Sequence, residues 1–178
     1  MDTHKRRQLI AALCVVIIVA ASVSVFFAYQ LLFPPAYAFK NGVNHPQAIS
    51  NLLKNGTVVL YFTQNNCPPC DFVAPKIADL QSQYKGTDVT VMTVNPDGNT
   101  TSRSAFINYD DNPTSRSIFS AYGIQWTPEV FVIRPDGAVA NFSMKKDSGS
   151  DSFHAQDGGS YNMDFNAIRS AIEEARHG

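Results

Sequence analysis

Hydrophobic and polar positions divide the chain into two unlike regions. From Leu9 to Tyr29 the sequence LIAALCVVIIVAASVSVFFAY is almost wholly apolar, interrupted only by Ser22, Ser24 and the terminal tyrosine. At ~1.5 Å per residue a helix of this length spans about 30 Å, the thickness of a bilayer's hydrocarbon core. His4-Lys5-Arg6-Arg7 stands directly before the run, and the positive-inside rule assigns that end to the cytoplasm. The expectation is a single-pass membrane anchor with everything after Phe33 on the extracytoplasmic side. The alternative is a cleaved signal peptide and a secreted domain, because Ala36-Tyr37-Ala38 has the small-x-small form that signal peptidase accepts. The run is longer than a ~7–15-residue signal core, which favours the uncleaved anchor. Cys14, inside the run, reads as a small apolar residue.

After a Pro- and Gly-broken tether, PPAYAFKNGVN (34–44), the pattern changes to alternating helical and strand periods. His45–Gly56 predicts a short helix with Pro46 in its first turn, Ala48, Ile49, Leu52 and Leu53 on one face, and Gly56 as its stop. TVVLYFT (57–63) is continuously apolar and β-rich, as in a strand buried on both faces. Phe72, Val73, Ile77, Leu80 and Tyr84 return to helical spacing over 67–84. VTVMTVN (89–95) predicts a second strand, parallel to the first across the helical crossover. Residues 96–113 are polar, with a short helix expected around Ser102–Tyr109, and 115–123 predicts a helix ended by Gly123. EVFVI, RPDG and AVANFSM predict a hairpin. KKDSGSDSFHAQDGGS reads as a solvated loop, and Asp164–Arg176 as a closing helix with Phe165, Ile168, Ile172 and Ala175 on one face.

Composition narrows the function classes. The chain has 178 residues, 44% hydrophobic and 16% charged. Residues 1–38 carry a net +2 and residues 39–178 a net −3. A mildly acidic domain without a basic stripe is unsuited to nucleic acid, where concentrated positive charge displaces counterions. Three cysteines are too few for a disulfide-dense scaffold. The sequons Asn55-Gly56-Thr57, Asn99-Thr100-Thr101 and Asn141-Phe142-Ser143 are acceptors on an exported face.

Cys67-Pro68-Pro69-Cys70 carries the chemistry. Two thiols three positions apart at a helix start can close a small disulfide ring. The unpaired N–H groups and helix dipole there stabilise a thiolate at Cys67. That lowers a thiol pKa normally near 8.5 and makes Cys67 the better-populated nucleophile. Pro68 and Pro69 fit early helical positions and stiffen the ring, and Cys70, one turn in, acts as the resolving thiol. A zinc knuckle would need a second ligand pair, and His45, His154 and His177 have no matching spacing. A c-type haem site would need histidine where Asp71 stands. Neither metal nor cofactor is expected.

Together these residues make the sequence resemble the thioredoxin-like superfamily. Strand VVLYF precedes the cysteine pair, Ala74-Pro75 comes after it, Tyr84-Lys85-Gly86 closes the helix, and Ala121-Tyr122-Gly123-Ile124 leads to Trp126-Thr127-Pro128. The resemblance implies a three-layer α/β fold with a central mixed sheet over residues 45–178, preceded by a cytoplasmic stretch (1–8), an anchor or signal segment (9–33) and the tether (34–44). It implies a redox-active Cys67–Cys70 disulfide. Pro68, Pro69, Trp126, Thr127 and a cis Pro128 would support that site, residue 127 offering its backbone to an extended substrate.

The sequence also departs from the family. The buried carboxylate that thioredoxins place on the strand before the cysteines is Tyr61 here, and its lysine partner is Val91, so the proton relay for Cys70 must be water or another acid. Glu129, directly after Pro128, is a candidate, though an exposed strand-edge carboxylate is its plainer reading. The aromatic residue usual before the first cysteine is Asn66. Residues 96–117 and 145–163 are insertions relative to thioredoxin. A peroxiredoxin would have threonine at Asn65. The resemblance implies a tethered extracytoplasmic thiol–disulfide oxidoreductase acting on protein disulfides. The lack of a histidine between the cysteines tilts it toward a reductant, supplied by a membrane electron donor. The competing readings are a copper-delivery protein, with His154 as the remote ligand, and a binding or chaperone module without redox turnover.

Overall fold

β1 (Thr57–Phe62) is buried at all six positions, as its unbroken apolar run requires. It takes the middle of a five-stranded sheet of order β3-β2-β1-β4-β5. β2 (Val89–Asn95) pairs parallel to it on one side and β4 (Glu129–Ile133) antiparallel on the other. β5 (Val139–Ser143) closes the hairpin with β4, and β3 (Ile107–Asp110) adds a parallel edge strand to β2. This computed structural model describes residues 15–22, 24, 28, 37–96, 107–110, 113–147 and 149–178.

The strand period of two sorts side chains to opposite faces of the sheet. Val59, Tyr61, Val91, Val130 and Val132 face α2 (Pro68–Gln83) and α4 (Phe165–His177), against Val73, Ile77, Leu80, Ile168 and Ile172. Val58, Leu60, Phe62, Met92, Val94, Phe131 and Ile133 face α1 (Gln47–Leu53) and α3 (Pro113–Ala121), against Ile49, Leu53 and Ile118. The result is three layers, helix–sheet–helix, on the thioredoxin-like plan with a mixed sheet. α4 is capped by Asp164, whose carboxylate accepts from Ala167 N at 2.9 Å.

The chain divides into two compact units, Met1–Ala36 and Tyr37–Gly178. In the first, residues 15–22 are helical and Val15 to Val19 are exposed. Among the described residues no helix is long and apolar enough to cross a membrane. The expected span Leu9–Tyr29 falls in good part outside those residues, as do Cys14, Asn99 and the start of the tether. The second unit begins at Tyr37. Tyr37 and Phe39 pack against the α2/α4 core, and Lys40 exchanges both backbone hydrogen bonds with Val139.

Three local expectations need correction. Ile107–Asp110 is a strand where a helix was expected to reach Tyr109, because its backbone finds unsatisfied partners on the open edge of β2. The stretch expected as a solvated loop instead contains a three-stranded antiparallel sheet, order β6-β8-β7, made of β6 (Lys145–Lys146), β7 (Phe153–His154) and β8 (Ser160–Asn162). It is fixed to α2 by Phe153 against Phe72, ring centroids 6.2 Å apart, and by Lys76 with Asp151 at 2.7 Å. Those contacts are tertiary, so polar composition alone concealed the strands. Pro46 is the N-cap of α1 and lies just before its first turn.

Gly56 connects α1 to β1 with φ +138°, and a Cβ there would run into the Asp88 carbonyl, the acceptor of the Thr57 N–H. Gly42 also has positive φ, +93°, but opens onto space. Gly56→Ala in the full chain should therefore cost about 2–4 kcal/mol of unfolding free energy and Gly42→Ala about 1 kcal/mol, the first adding a backbone collision to the strain both share. Urea titration monitored by the single tryptophan checks the ordering. Equal midpoints for the two variants would contradict it.

Candidate active site

β1 ends beneath the start of α2, and a tight turn at Asn65–Asn66 joins them. Asn66 has φ +55°, a left-handed conformation that asparagine tolerates better than a bulky aromatic side chain does. Cys67 then becomes the N-cap of α2, with Pro68 and Pro69 in the first two helical positions. Neither proline has an N–H, so the first amide of the helix able to donate is that of Cys70. It points at Cys67, 3.2 Å from Sγ and 2.9 Å from the carbonyl oxygen, and Asp71 N donates to the same carbonyl at 3.1 Å. The helix start thus directs its positive end at one sulfur.

The two cysteines form a disulfide, Cα atoms 5.2 Å apart. Cys70 is fully buried and Cys67 half-buried, so the Cys67 sulfur is the one a substrate can reach. Across from it lies the loop into β4. The Thr127–Pro128 peptide is cis. Thr127 places its carbonyl oxygen 3.7 Å and its Oγ1 3.6 Å from Cys67 Sγ. In the disulfide this sulfur has no proton, so the carbonyl approach is a contact. A reduced Cys67 thiol can donate to that oxygen. Thr127 Oγ1 donates to Gln64 Oε1 at 3.1 Å, which fixes the threonine side chain from the β1 side. Pro128 is buried, whereas Trp126 is 78% exposed. Cys67, Cys70, Pro68, Pro69, Thr127 and Pro128 are thus assembled at one end of the sheet, with Trp126 in solvent beside them.

Two sequence expectations about protons are revised. Glu129 lies half-buried on β4, and burial raises its carboxyl above the usual range against the opposing donation from Asn141 Nδ2 at 3.4 Å. Strand alternation puts it on the face of Phe131 and Ile133, opposite the face that holds Cys70. Tyr61 is the group that reaches the second cysteine, its hydroxyl donating to the Cys70 carbonyl at 2.8 Å. Sequence had registered Tyr61 only as a lost charge. Its place on the β1 face shared with Val59 was the available signal. His154, the candidate metal ligand, is exposed on β7 and paired with Ser160 Oγ at 2.9 Å, on the face opposite Phe153. A cleft of about 550 Å³ lies further down α2, lined by charges of both signs that include Lys76, Asp79, Asp151 and Arg169.

Solved structures resemble this fold at low identity. A thiol:disulfide interchange protein from Bacteroides sp. superposes with a TM-score of 0.50 at 14% identity, covering 73% of this chain and 78% of that one. A secreted Mycobacterium tuberculosis disulfide oxidoreductase homologous to E. coli DsbE gives 0.48 at 16%, covering 67% and 82%. Thioredoxin f from spinach chloroplast gives 0.45 at 18%, covering 76% and 90%. No curated protein matches the sequence. The AhpC/TSA family matches residues 34–142, from before β1 through β5, with the cysteine pair and the cis-proline inside the match. With more than half of its length in that match and a thioredoxin-like fold around the cysteines, the chain belongs to the AhpC/TSA family.

Proposed function

We propose that the protein is a membrane-tethered thiol–disulfide oxidoreductase working on the extracytoplasmic side. The observation that carries this reading is the contrast between the two sulfurs. Cys67 is half-open at a helix start with an amide aimed at it, and Cys70 is sealed beneath it. A nucleophile needs thiolate character and access, while a resolving thiol needs only its partner sulfur. Reduced Cys67 attacks a substrate disulfide and forms a mixed disulfide. The substrate chain lies against the backbone at Thr127-Pro128, and Cys70 then displaces it. Pro68, Pro69 and Trp126 frame the approach.

The oxidised protein needs electrons to turn over as a reductant, and a membrane electron donor supplies them. The absence of a histidine between Cys67 and Cys70 favours this direction. Asn65 stands where a peroxiredoxin has threonine, and its side-chain oxygen accepts from Asn95 Nδ2 at 3.1 Å, which favours dithiol exchange over peroxide reduction. The anchor is Leu9–Tyr29, oriented by Lys5, Arg6 and Arg7. In this organisation residues 1–8 are cytoplasmic, 9–33 anchor the chain, and the tether from 34 leads into the redox domain.

The division of labour is tested by single substitutions. Cys70→Ser should accumulate mixed disulfides through Cys67, visible as reducible high-mass species on a non-reducing gel, whereas Cys67→Ser should accumulate almost none. Faster alkylation of Cys70 than of Cys67 in the reduced protein would reverse the assignment.

The tether is tested separately by carbonate extraction and protease protection. The full chain should stay with membranes at alkaline pH, and its C-terminal domain should be cleaved only from the extracytoplasmic side. Release of a mature protein beginning at Phe39 would replace the anchor with a signal peptide.

A further inference from the structure

Tyr61 lies at the centre of the sheet, paired in register with Thr93 of β2 and Val130 of β4, and is 1% exposed. Its side chain belongs to the layer containing Val59, Val73 and Cys70. A phenol taken this far from water needs a hydrogen-bond partner. It finds one in the Cys70 carbonyl, to which it donates at 2.8 Å. The bond therefore runs from the central, fully buried strand of the sheet to the backbone of the buried cysteine.

The helix needs that bracing at this point. α2 contains Pro68, Pro69 and Pro75. Pro75 has no N–H to offer the carbonyl of Asp71, so the ladder of helical bonds is interrupted directly beside Cys70. Tyr61 ties Cys70 to β1 across the interruption. The phenol also brings no charge, and its two neighbours in register, Thr93 and Val130, bring none either.

We propose that Tyr61 is the positioning residue of the resolving cysteine, holding the Cys70 backbone so that its sulfur stays in line with Cys67 throughout exchange. The proposal rests on the reading that Cys67 forms the mixed disulfide and Cys70 resolves it. In the resolving step the Cys70 thiol gives up its proton to water and its sulfur attacks Cys67 Sγ. The bond between Cys67 and substrate sulfur breaks as the Cys67–Cys70 bond forms. The substrate sulfur departs as a thiolate and takes a proton from water. Over both steps the substrate disulfide gains two electrons and the dithiol loses two. Tyr61 acts through the backbone of Cys70, whose carbonyl accepts its hydroxyl.

The test uses the reduced full-length protein and a chromogenic aromatic disulfide as the probe. One coloured thiolate is released when Cys67 attacks, and a second when Cys70 resolves. In Tyr61→Phe the first release should stay within about twofold of the wild-type rate. The second should slow roughly five- to tenfold, the factor that one neutral hydrogen bond supplies. Tyr61→Met, which also fills the site without a donor, should show the same split and serves if the phenylalanine variant does not fold. A folded variant with a wild-type second phase overturns the proposal, as does a lowered urea midpoint with that phase unchanged, because Tyr61 would then be only structural. Absence of the first release in the wild-type protein would instead defeat the parent reading of Cys67.

Discussion

Burial of β1 on both faces is the constraint on which the site depends. A strand with no solvent face can sit only in the middle of the sheet, with partners on both edges and a helical layer above and below. Its C-terminal end is then fixed against β2 and β4, and the next residues of the chain must emerge at that end. Those residues are the turn at Asn65–Asn66 and the N-cap Cys67. The loop before β4, carrying Thr127 and Pro128, arrives at the same end because β4 runs antiparallel to β1, so the start of β4 lies beside the end of β1. Sheet topology brings the sulfur and its facing backbone together although they are distant in sequence.

The local chemistry depends on which donors the first turn of α2 retains. Two prolines remove the amides that would otherwise spread the positive end of the helix over several acceptors. The Cys70 amide remains, aimed back at Cys67. Meanwhile Tyr61 meets Cys70 from below with a hydrogen bond and no charge. The site thus combines a half-buried sulfur at the positive end of a helix with a fully buried one braced by a neutral phenol. That difference in environment, rather than any difference in residue type, separates two identical side chains.

The small sheet β6-β8-β7 shows how a segment of polar composition becomes ordered. Its strands are two or three residues long and would not persist alone. They are held by Phe153 on Phe72 and by Asp151 on Lys76, while Lys76 itself stacks over the Phe72 ring of the same helix at 4.5 Å. This sheet and α4 lie beyond the stretch matched by the AhpC/TSA family, yet α4 contributes Ile168 and Ile172 to the core beneath the site.

Sequence alone determined the elements whose pattern is local. The run at 57–62, the amphipathic stretch at 68–83, the hairpin around Arg134–Gly137 and the closing helix are each stated by the spacing of their apolar residues. The Cys67–Cys70 pair was legible for a similar reason, since residue type at a short fixed spacing carries its meaning, whereas Thr127-Pro128 was legible only through the ordered resemblance to the thioredoxin-like superfamily. Tertiary structure alone decided the rest. The edge strand at 107–110 exists because β2 offered open backbone groups. Glu129 and Tyr61 exchanged importance because one-residue alternation along a strand selects the face a side chain serves. That face is set by which helices pack there, and pairwise contacts between segments distant in sequence leave no periodic trace in either one.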